Sequence, residues 1–258
     1  MTISLLQTDI AWGDPAVNQM RAEALLRGTA PSDVYVLPEM FSTGFATEPE
    51  GIAEADACSL EWMKKMSREL DAAICGSVAT EVAGSATKSY CNRFYFVKPD
   101  GKYCYYDKRH LFSYGGEHLH YTRGHDRVVV EFRGVRFLLQ VCYDLRFPMF
   151  SRNGGDCPYD VALYVASWPT SRIKVWNTLL HARAIENQCY VAGVNRIGSD
   201  CSCQYSGGTM FIDAYGNTLA RCPDDEETSI TSNIDIEALH AFRKKFPVFE
   251  DADMFHIK

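Results

Sequence analysis

The chain has 258 residues, 47% of them hydrophobic and 23% charged, with a formal net charge of −7. That length supports one domain spanning residues 1–258, whose core needs neither disulfides nor a structural metal. The acidic balance, with no Lys/Arg-rich run, argues against nucleic acid or an anionic membrane as the main partner, because both require a basic footprint.

Met1 to Trp12 lacks the basic start, apolar stretch and cleavage site of a secretory leader, and Met254 to Lys258 matches no lipidation signal. No apolar run approaches the ~20 residues that span a bilayer. The expectation is a cytoplasmic protein. Its 10 cysteines then read as reduced thiols, and Cys75, Cys91, Cys104 and Cys189 sit in apolar strand-like runs as small hydrophobes. Cys201 and Cys203 form a CxC pair and His118 and His120 an HxH pair, but neither has a second pair at structural-zinc spacing, so no metal is expected.

In chain order, Ile3 to Thr8 reads as a strand and Asp14 to Arg27 as a helix. Asp33 to Leu37 is a strand stopped by Pro38. Glu54 to Asp71 carries Leu60, Met63, Met66 and Leu70 at helical spacing, and Ala73 to Val78 is the next strand. Tyr90 to Tyr106 reads as a hairpin around Pro99, Asp100 and Gly101. A second, Arg127 to Val141, turns near Arg133–Gly134. The order then recurs: Leu138–Leu139–Gln140 echoes Leu5–Leu6–Gln7, and Val161 to Val165 echoes Val34 to Leu37. A helix over Ser171 to Gln188 and a strand over Cys189 to Val194 follow, then a hairpin over Thr209 to Arg221 and a last helix over Ile236 to Lys245. The alternation predicts an α/β fold. Two similar halves predict two sheets face to face with helices outside, a four-layer α-β-β-α sandwich.

Three strand ends carry chemistry. The run Val135 to Val141 leads into Cys142, and α/β folds place ligand-contacting groups at such carboxyl ends. The strand before Pro38 leads into Glu39, a carboxylate between apolar neighbours that is costly there unless paired. A third strand leads into Lys108, a cation able to lower a neighbouring thiol's pKa and to stabilise an oxyanion. Taken singly, each has a plain structural reading: a core cysteine, a surface glutamate, a solvated basic turn. Together they supply a nucleophile, a base and a fixed cation, the set an amide hydrolase needs. The oxyanion formed on attack would be held by Lys108 and by the backbone N–H of Tyr143, and one such donor is typically worth about 3–4 kcal/mol of barrier.

Pro38–Glu39–Met40, Asp107–Lys108–Arg109–His110–Leu111–Phe112 and Val141–Cys142–Tyr143–Asp144–Leu145–Arg146–Phe147–Pro148 resemble the motifs of the nitrilase superfamily of carbon-nitrogen hydrolases. The resemblance implies a Glu–Lys–Cys triad on an α-β-β-α sandwich, with Glu39 the general base, Lys108 the oxyanion-binding lysine and Cys142 the nucleophile. Glu117, in Gly115–Gly116–Glu117, takes the place of the family's second glutamate, which orients the lysine. Within the superfamily the chain is most similar to omega-amidases, through Glu117–His118–Leu119–His120–Tyr121, Ala166–Ser167–Trp168–Pro169, Ala182 to Gln188 and Arg243–Lys244–Lys245–Phe246–Pro247. This implies hydrolysis of 2-oxoglutaramate and 2-oxosuccinamate to the keto diacid and ammonia, without cofactor, in a homodimer or larger assembly. Phe147 to Asn153 and Ser171 to Gln188 are the candidate interface segments.

A substrate of that class carries a carboxylate, so the pocket should offer a cation or several donors. Arg172, Arg196, Asn195, Trp168, the Tyr121 hydroxyl and backbone donors near Ser167 are the candidates, with Phe41, Phe45 and Trp168 shaping the walls. Arg146, Arg183 and Glu186 read instead as structural charges around the nucleophile loop. Nitrile hydrolysis and N-carbamoyl amide hydrolysis use the same triad and stay open, and a non-catalytic interaction module is the alternative of a different class. No G-x-S-x-G elbow and no phosphate-binding glycine loop is present.

Overall fold

A computed structural model of the chain describes residues 1–82, 89–155 and 157–253. The first sheet contains β1 (Thr2–Gln7), β2 (Val34–Val36), β3 (Ala73–Glu81), β4 (Tyr90–Val97), β5 (Tyr103–Asp107) and, from late in the chain, β14 (Thr228–Asn233). Its order is β14-β1-β2-β3-β4-β5. The second contains β6 (Val129–Phe132), β7 (Val135–Val141), β8 (Val161–Ala166), β9 (Tyr190–Asn195), β12 (Met210–Ile212) and β13 (Thr218–Arg221), in the order β13-β12-β9-β8-β7-β6. A short ribbon pairs β10 (Ile197–Ser199) with β11 (Gln204–Ser206).

The sequence echo is a topological one. β1, β2 and β3 run parallel, as do β7, β8 and β9. Each trio is flanked by antiparallel strands, β14 and β4–β5 in one sheet, β6 and β12–β13 in the other.

Side-chain alternation decides the layers. Ile3 and Leu5 of β1, with Val34, Val36, Phe94 and Phe96, share one buried cluster with Phe137, Leu139, Val141, Leu163, Val165 and Val194 of the other sheet. Leu6, Tyr35 and Ile74 face outward onto α1 (Pro15–Gly28) and α2 (Cys58–Leu70). Leu138, Tyr164 and Val191 face outward onto Trp176, Leu180 and Ala184 of α5 (Ile173–Glu186). Strands covered on both faces are apolar throughout, which is why β7 and β8 read as continuous hydrophobic runs. The arrangement is the expected α-β-β-α sandwich. The short helices α3 (Glu117–His120) and α4 (Pro148–Ser151) and the C-terminal α6 (Ile236–Lys245) complete it.

α1 starts where its sequence directs: the Asp14 carboxylate accepts from the Val17 amide at 3.1 Å, with Pro15 in the first turn. α2 begins four residues later than its periodicity predicts. Glu54 is drawn inward instead, accepting from the Ser42 hydroxyl and the Ser59 amide and bridging to Thr80. The expectation for Met254 to Lys258 lies outside the described residues. Among the described residues no helix is long and apolar enough to cross a membrane.

Candidate active site

The carboxyl ends of β2, β5, β7 and β8 converge at one edge of the sandwich. They bring Glu39, Lys108, Cys142 and Ser167 to the inner end of a cavity of about 540 Å³ whose lining includes Cys142 and Ser167. Glu39, Asn92, Lys108 and Glu117 have no exposed surface. Glu39 Oε1 accepts from Lys108 Nζ at 3.0 Å and from Asn92 Nδ2 at 2.8 Å, and Oε2 accepts from the Ser167 amide at 2.8 Å. Lys108 also donates to Glu117 Oε1 at 3.0 Å and Oε2 at 2.9 Å. Glu117 is held in turn by the Phe112 amide at 2.6 Å and Asn92 Nδ2 at 3.3 Å. Phe45 caps the ammonium, its ring centroid 5.2 Å from Nζ.

Burial alone would discharge Lys108, but the carboxylates of Glu117 and Glu39 outweigh it and hold the ammonium's pKa above its ordinary value. Burial pushes Glu117 up; Lys108 pulls it back only in part, and the charge of Glu39 adds to the rise. The thiol of Cys142 sits beside the Glu39 carboxylate and the Ser167 amide, close enough for both to act on its ionisation. Burial first, then the Glu39 charge, raise its pKa well above a free thiol's, against the lowering pull of Lys108 and the Ser167 amide. Lys108 lowers the thiol's pKa, as its charge leads one to expect, but burial and the Glu39 charge outweigh it.

Cys142 ends β7 with φ of +45°, a left-handed backbone conformation that side chains seldom adopt, and opens the 3-10 turn Cys142–Arg146. Such strain persists only where surroundings over-determine it, as at functional turns. Asp144 supplies the determination. It accepts from the Val141 amide at 2.9 Å, the Tyr106 hydroxyl at 2.8 Å and the His110 amide at 3.1 Å, and pairs with His110 Nδ1 at 2.7 Å. One carboxylate thus ties the nucleophile turn to the lysine loop. The Tyr143 amide stands at the start of the turn, where N–H groups have no intrahelical acceptor.

Of the other candidates, Phe45, Tyr143, Trp168 and Arg172 line the cavity. Tyr121, Asn195 and Arg196 are buried behind the wall. Tyr121 donates to the Ala46 carbonyl at 2.7 Å and so supports the Phe45 segment. Asn195 clamps Trp168, accepting from its amide at 2.7 Å and donating to its carbonyl at 2.9 Å. Arg196 donates to Asp9, to the Ile10 and Ser199 carbonyls, and lies over Tyr205. The polar side-chain atoms of Tyr121 and Asn195 are taken up by protein partners, which places both in support of the walls; Arg196 is fastened through Nε and Nη2, while its buried Nη1 has no protein partner among the described residues. Phe41 packs on Trp62 in the core under α2. Arg183 and Glu186 form the expected structural pair, with Arg183 also donating to the Leu145 carbonyl. Arg146 departs from its expected structural role: it lines the cavity. Asn92 and Asp144 were not singled out by sequence, since nothing local marks an Asn within a strand; the Ser167 backbone, expected as a donor to the substrate carboxylate, gives its amide to Glu39 instead.

The carbon-nitrogen hydrolase family model matches residues 2–244. The chain belongs to that family. It is 46% identical over 256 residues to an omega-amidase, YafV, from Yersinia enterocolitica, covering 99% of this chain and 98% of the relative. A 2-oxoglutaramate amidase of Bacillus subtilis is 35% identical over 254 residues, covering 97% and 96%. The crystal structure of a CN-hydrolase superfamily protein from Xanthomonas campestris, with an arsenic adduct in its active site, superposes with a TM-score of 0.95 at 42% identity, covering 100% and 99%. The fold is thus that of a carbon-nitrogen hydrolase. Among the described residues no group of three His, Cys, Asp or Glu side chains is placed to hold a metal ion.

Proposed function

We propose that this carbon-nitrogen hydrolase is an omega-amidase that hydrolyses the terminal amide of 2-oxoglutaramate, and of 2-oxosuccinamate, through a thioester on Cys142. The observation that carries the chemistry is the thiol of Cys142 set against the Glu39 carboxylate at the inner end of the cavity. The substrate reading is supported by the 2-oxoglutaramate amidase and omega-amidase relatives, which match nearly the whole chain.

The resting thiol is neutral, so attack and proton transfer go together. Glu39 takes the Sγ proton as sulfur bonds to the amide carbon. The carbonyl oxygen becomes an oxyanion, received by the Tyr143 amide and the Lys108 ammonium. Lys108 gives its N–H groups to Glu39 and Glu117 at rest. Protonation of Glu39 weakens one of those bonds as the oxyanion forms, so a donor is released when it is needed. Protonated Glu39 then delivers its proton to the departing nitrogen, and ammonia leaves. Water attacks the thioester with Glu39 again as base, and the keto diacid departs with Cys142 restored. Glu117 keeps Lys108 charged and in place.

Residues 1–258 act as one domain in this reading, in a homodimer or larger assembly in the cytoplasm. Ten free cysteines suit a reducing compartment, and exposed Ile185, Tyr215 and Phe246 offer a surface for a second copy.

The test is ammonia release from 2-oxoglutaramate, beside an aliphatic nitrile and an N-carbamoyl amino acid. The keto-acid amide should be the fast substrate. Cys142→Ala should abolish turnover with the circular dichroism spectrum unchanged, and Glu39→Gln should cost about 10²–10⁴-fold. Release from the nitrile or carbamoyl compound alone would overturn the omega-amidase assignment.

A further inference from the structure

Among the described residues, two arginines of the cavity wall have no carboxylate within ion-pair distance. Arg146 ends the 3-10 turn that Cys142 begins, and Arg172 ends the turn Thr170–Arg172 ahead of α5. Both line the main cavity, and both line a recess of about 390 Å³ at its side, with Phe112, Tyr114 and Tyr143. The Arg146 guanidinium lies over Trp168, 5.1 Å from the ring centroid, and that of Arg172 over Phe112 at 5.5 Å. An aromatic face positions a guanidinium and leaves its in-plane N–H fork open for a carboxylate.

Arg146 is exposed at the rim and Arg172 half-buried; several other arginines of the protein meet an acid, while Arg127 and Arg152 are held by backbone carbonyls. Arg93 pairs with Asp107, Arg136 and Arg243 with Asp160, Arg183 with Glu186 and Arg196 with Asp9. Among the described residues, neither Arg146 nor Arg172 has a carboxylate within ion-pair distance or a side-chain hydrogen bond. The acid in the lining, Asp200, is taken up by its own loop. It accepts from the Ser202 amide at 2.8 Å and hydroxyl at 2.9 Å, the Cys203 amide at 2.7 Å and the Tyr205 hydroxyl at 2.6 Å. A chain with net charge −7 thus keeps two open forks on the cavity that holds its activated thiol.

We infer that Arg146 and Arg172 together form an anion site that receives the distal carboxylate of the substrate and makes the enzyme selective for omega-amides of dicarboxylic acids over neutral amides. The inference rests on the amidase reading for the orientation of the substrate, amide at Cys142 and carboxylate outward. Two forks hold one carboxylate through both oxygens, so each contributes and neither replaces the other. The dicarboxylate product carries the same group and binds the same site.

The probe is glutarate, read by its protection of Cys142 from alkylation by iodoacetamide in the full chain. Half-protection concentrations are taken for wild type, Arg146→Met, Arg172→Met and the double variant, each against its own unprotected rate. Methionine keeps an apolar stem on the aromatic ring and removes the charge. Each single variant should need about tenfold more glutarate, the double variant more than either. Arg146→Lys and Arg172→Lys should recover part of the loss. KM for 2-oxoglutaramate should rise in the same order, with kcat changed less. Wild-type half-protection in the double variant would overturn the inference. Arginine-dependent protection in an enzyme that does not turn over 2-oxoglutaramate would uphold the anion site and overturn the proposed substrate.

Discussion

At the scale of single residues, the site works through the charge that Glu39 presents to Cys142. That charge raises the thiol's pKa, together with burial, and Lys108 opposes it. Removing it by Glu39→Gln leaves Lys108 as the nearer influence, so the thiol's pKa falls. The alkylation profile of Cys142 should therefore move to lower pH in Glu39→Gln, while turnover is lost. A thiol that becomes easier to ionise and an enzyme that stops working is the signature of a base whose proton transfer matters more than thiolate population. An upward shift of the profile would mean that the Glu39 charge does not act on the thiol. Sequence made Glu39, Lys108 and Cys142 visible because each ends a strand in a distinctive run. It left Asn92 and Asp144 unmarked, because the partners that give them a role lie on other elements. It misjudged Arg146 for the same reason: next to the nucleophile turn a charge reads as local pairing, and only the packed structure shows that among the described residues no acid reaches it.

At the scale of elements, the stretch Arg243 to Pro247 acquires a physical role. Arg243 donates to Asp160, to the Tyr159 carbonyl and to the Gln188 carbonyl, fastening α6 to the loops that enter β8 and β9. Asp160 also accepts from the Arg136 backbone and side chain. Burial would raise its pKa, but these donors, Arg136 foremost, hold it below the ordinary value of 3.8. A depressed carboxylate stabilises the fold above its unfolded pKa and loses that contribution as pH falls through its folded one. Asp160→Asn should therefore cost about 1–3 kcal/mol at neutral pH in denaturant titration, since it removes the buried carboxylate that the half-buried guanidinium groups of Arg136 and Arg243 share. Below about pH 3.8 its stability should fall less steeply than that of wild type. Helices and hairpins with strong patterns were legible from sequence, and α6 carries the predicted bounds, Ile236–Lys245. β14 was not, because Thr228–Asn233 is a largely polar run at a sheet edge that gains strand structure only by pairing with β1. The ribbon of β10 and β11 is too short for any periodicity to register.

At the scale of the whole molecule, α5, the turn at Tyr215 and α6 share an exposed apolar face. Tyr215 packs on Phe242 in a tilted pair with centroids 4.1 Å apart, and Ile185 and Phe246 stand open beside them. Apolar groups gathered in this way mark interaction surfaces. Sedimentation velocity should show an oligomer at micromolar protein and a shift toward monomer in Phe246→Glu. An unshifted monomer in both would remove the homodimer from the proposal.

The convergence of strand ends from both sheets has a further consequence. Glu39, Asn92 and Lys108 belong to the first half of the chain, Cys142 and Ser167 to the second, and the cluster between the sheets holds the halves together. Neither half owns a complete reaction centre. Catalysis is then a property of the docked pair, and turnover is a direct gauge of whether the two sheets are seated. During refolding, ammonia release should return only with the last cooperative step, however early each sheet recovers its strands, and a partly assembled chain should be chemically silent.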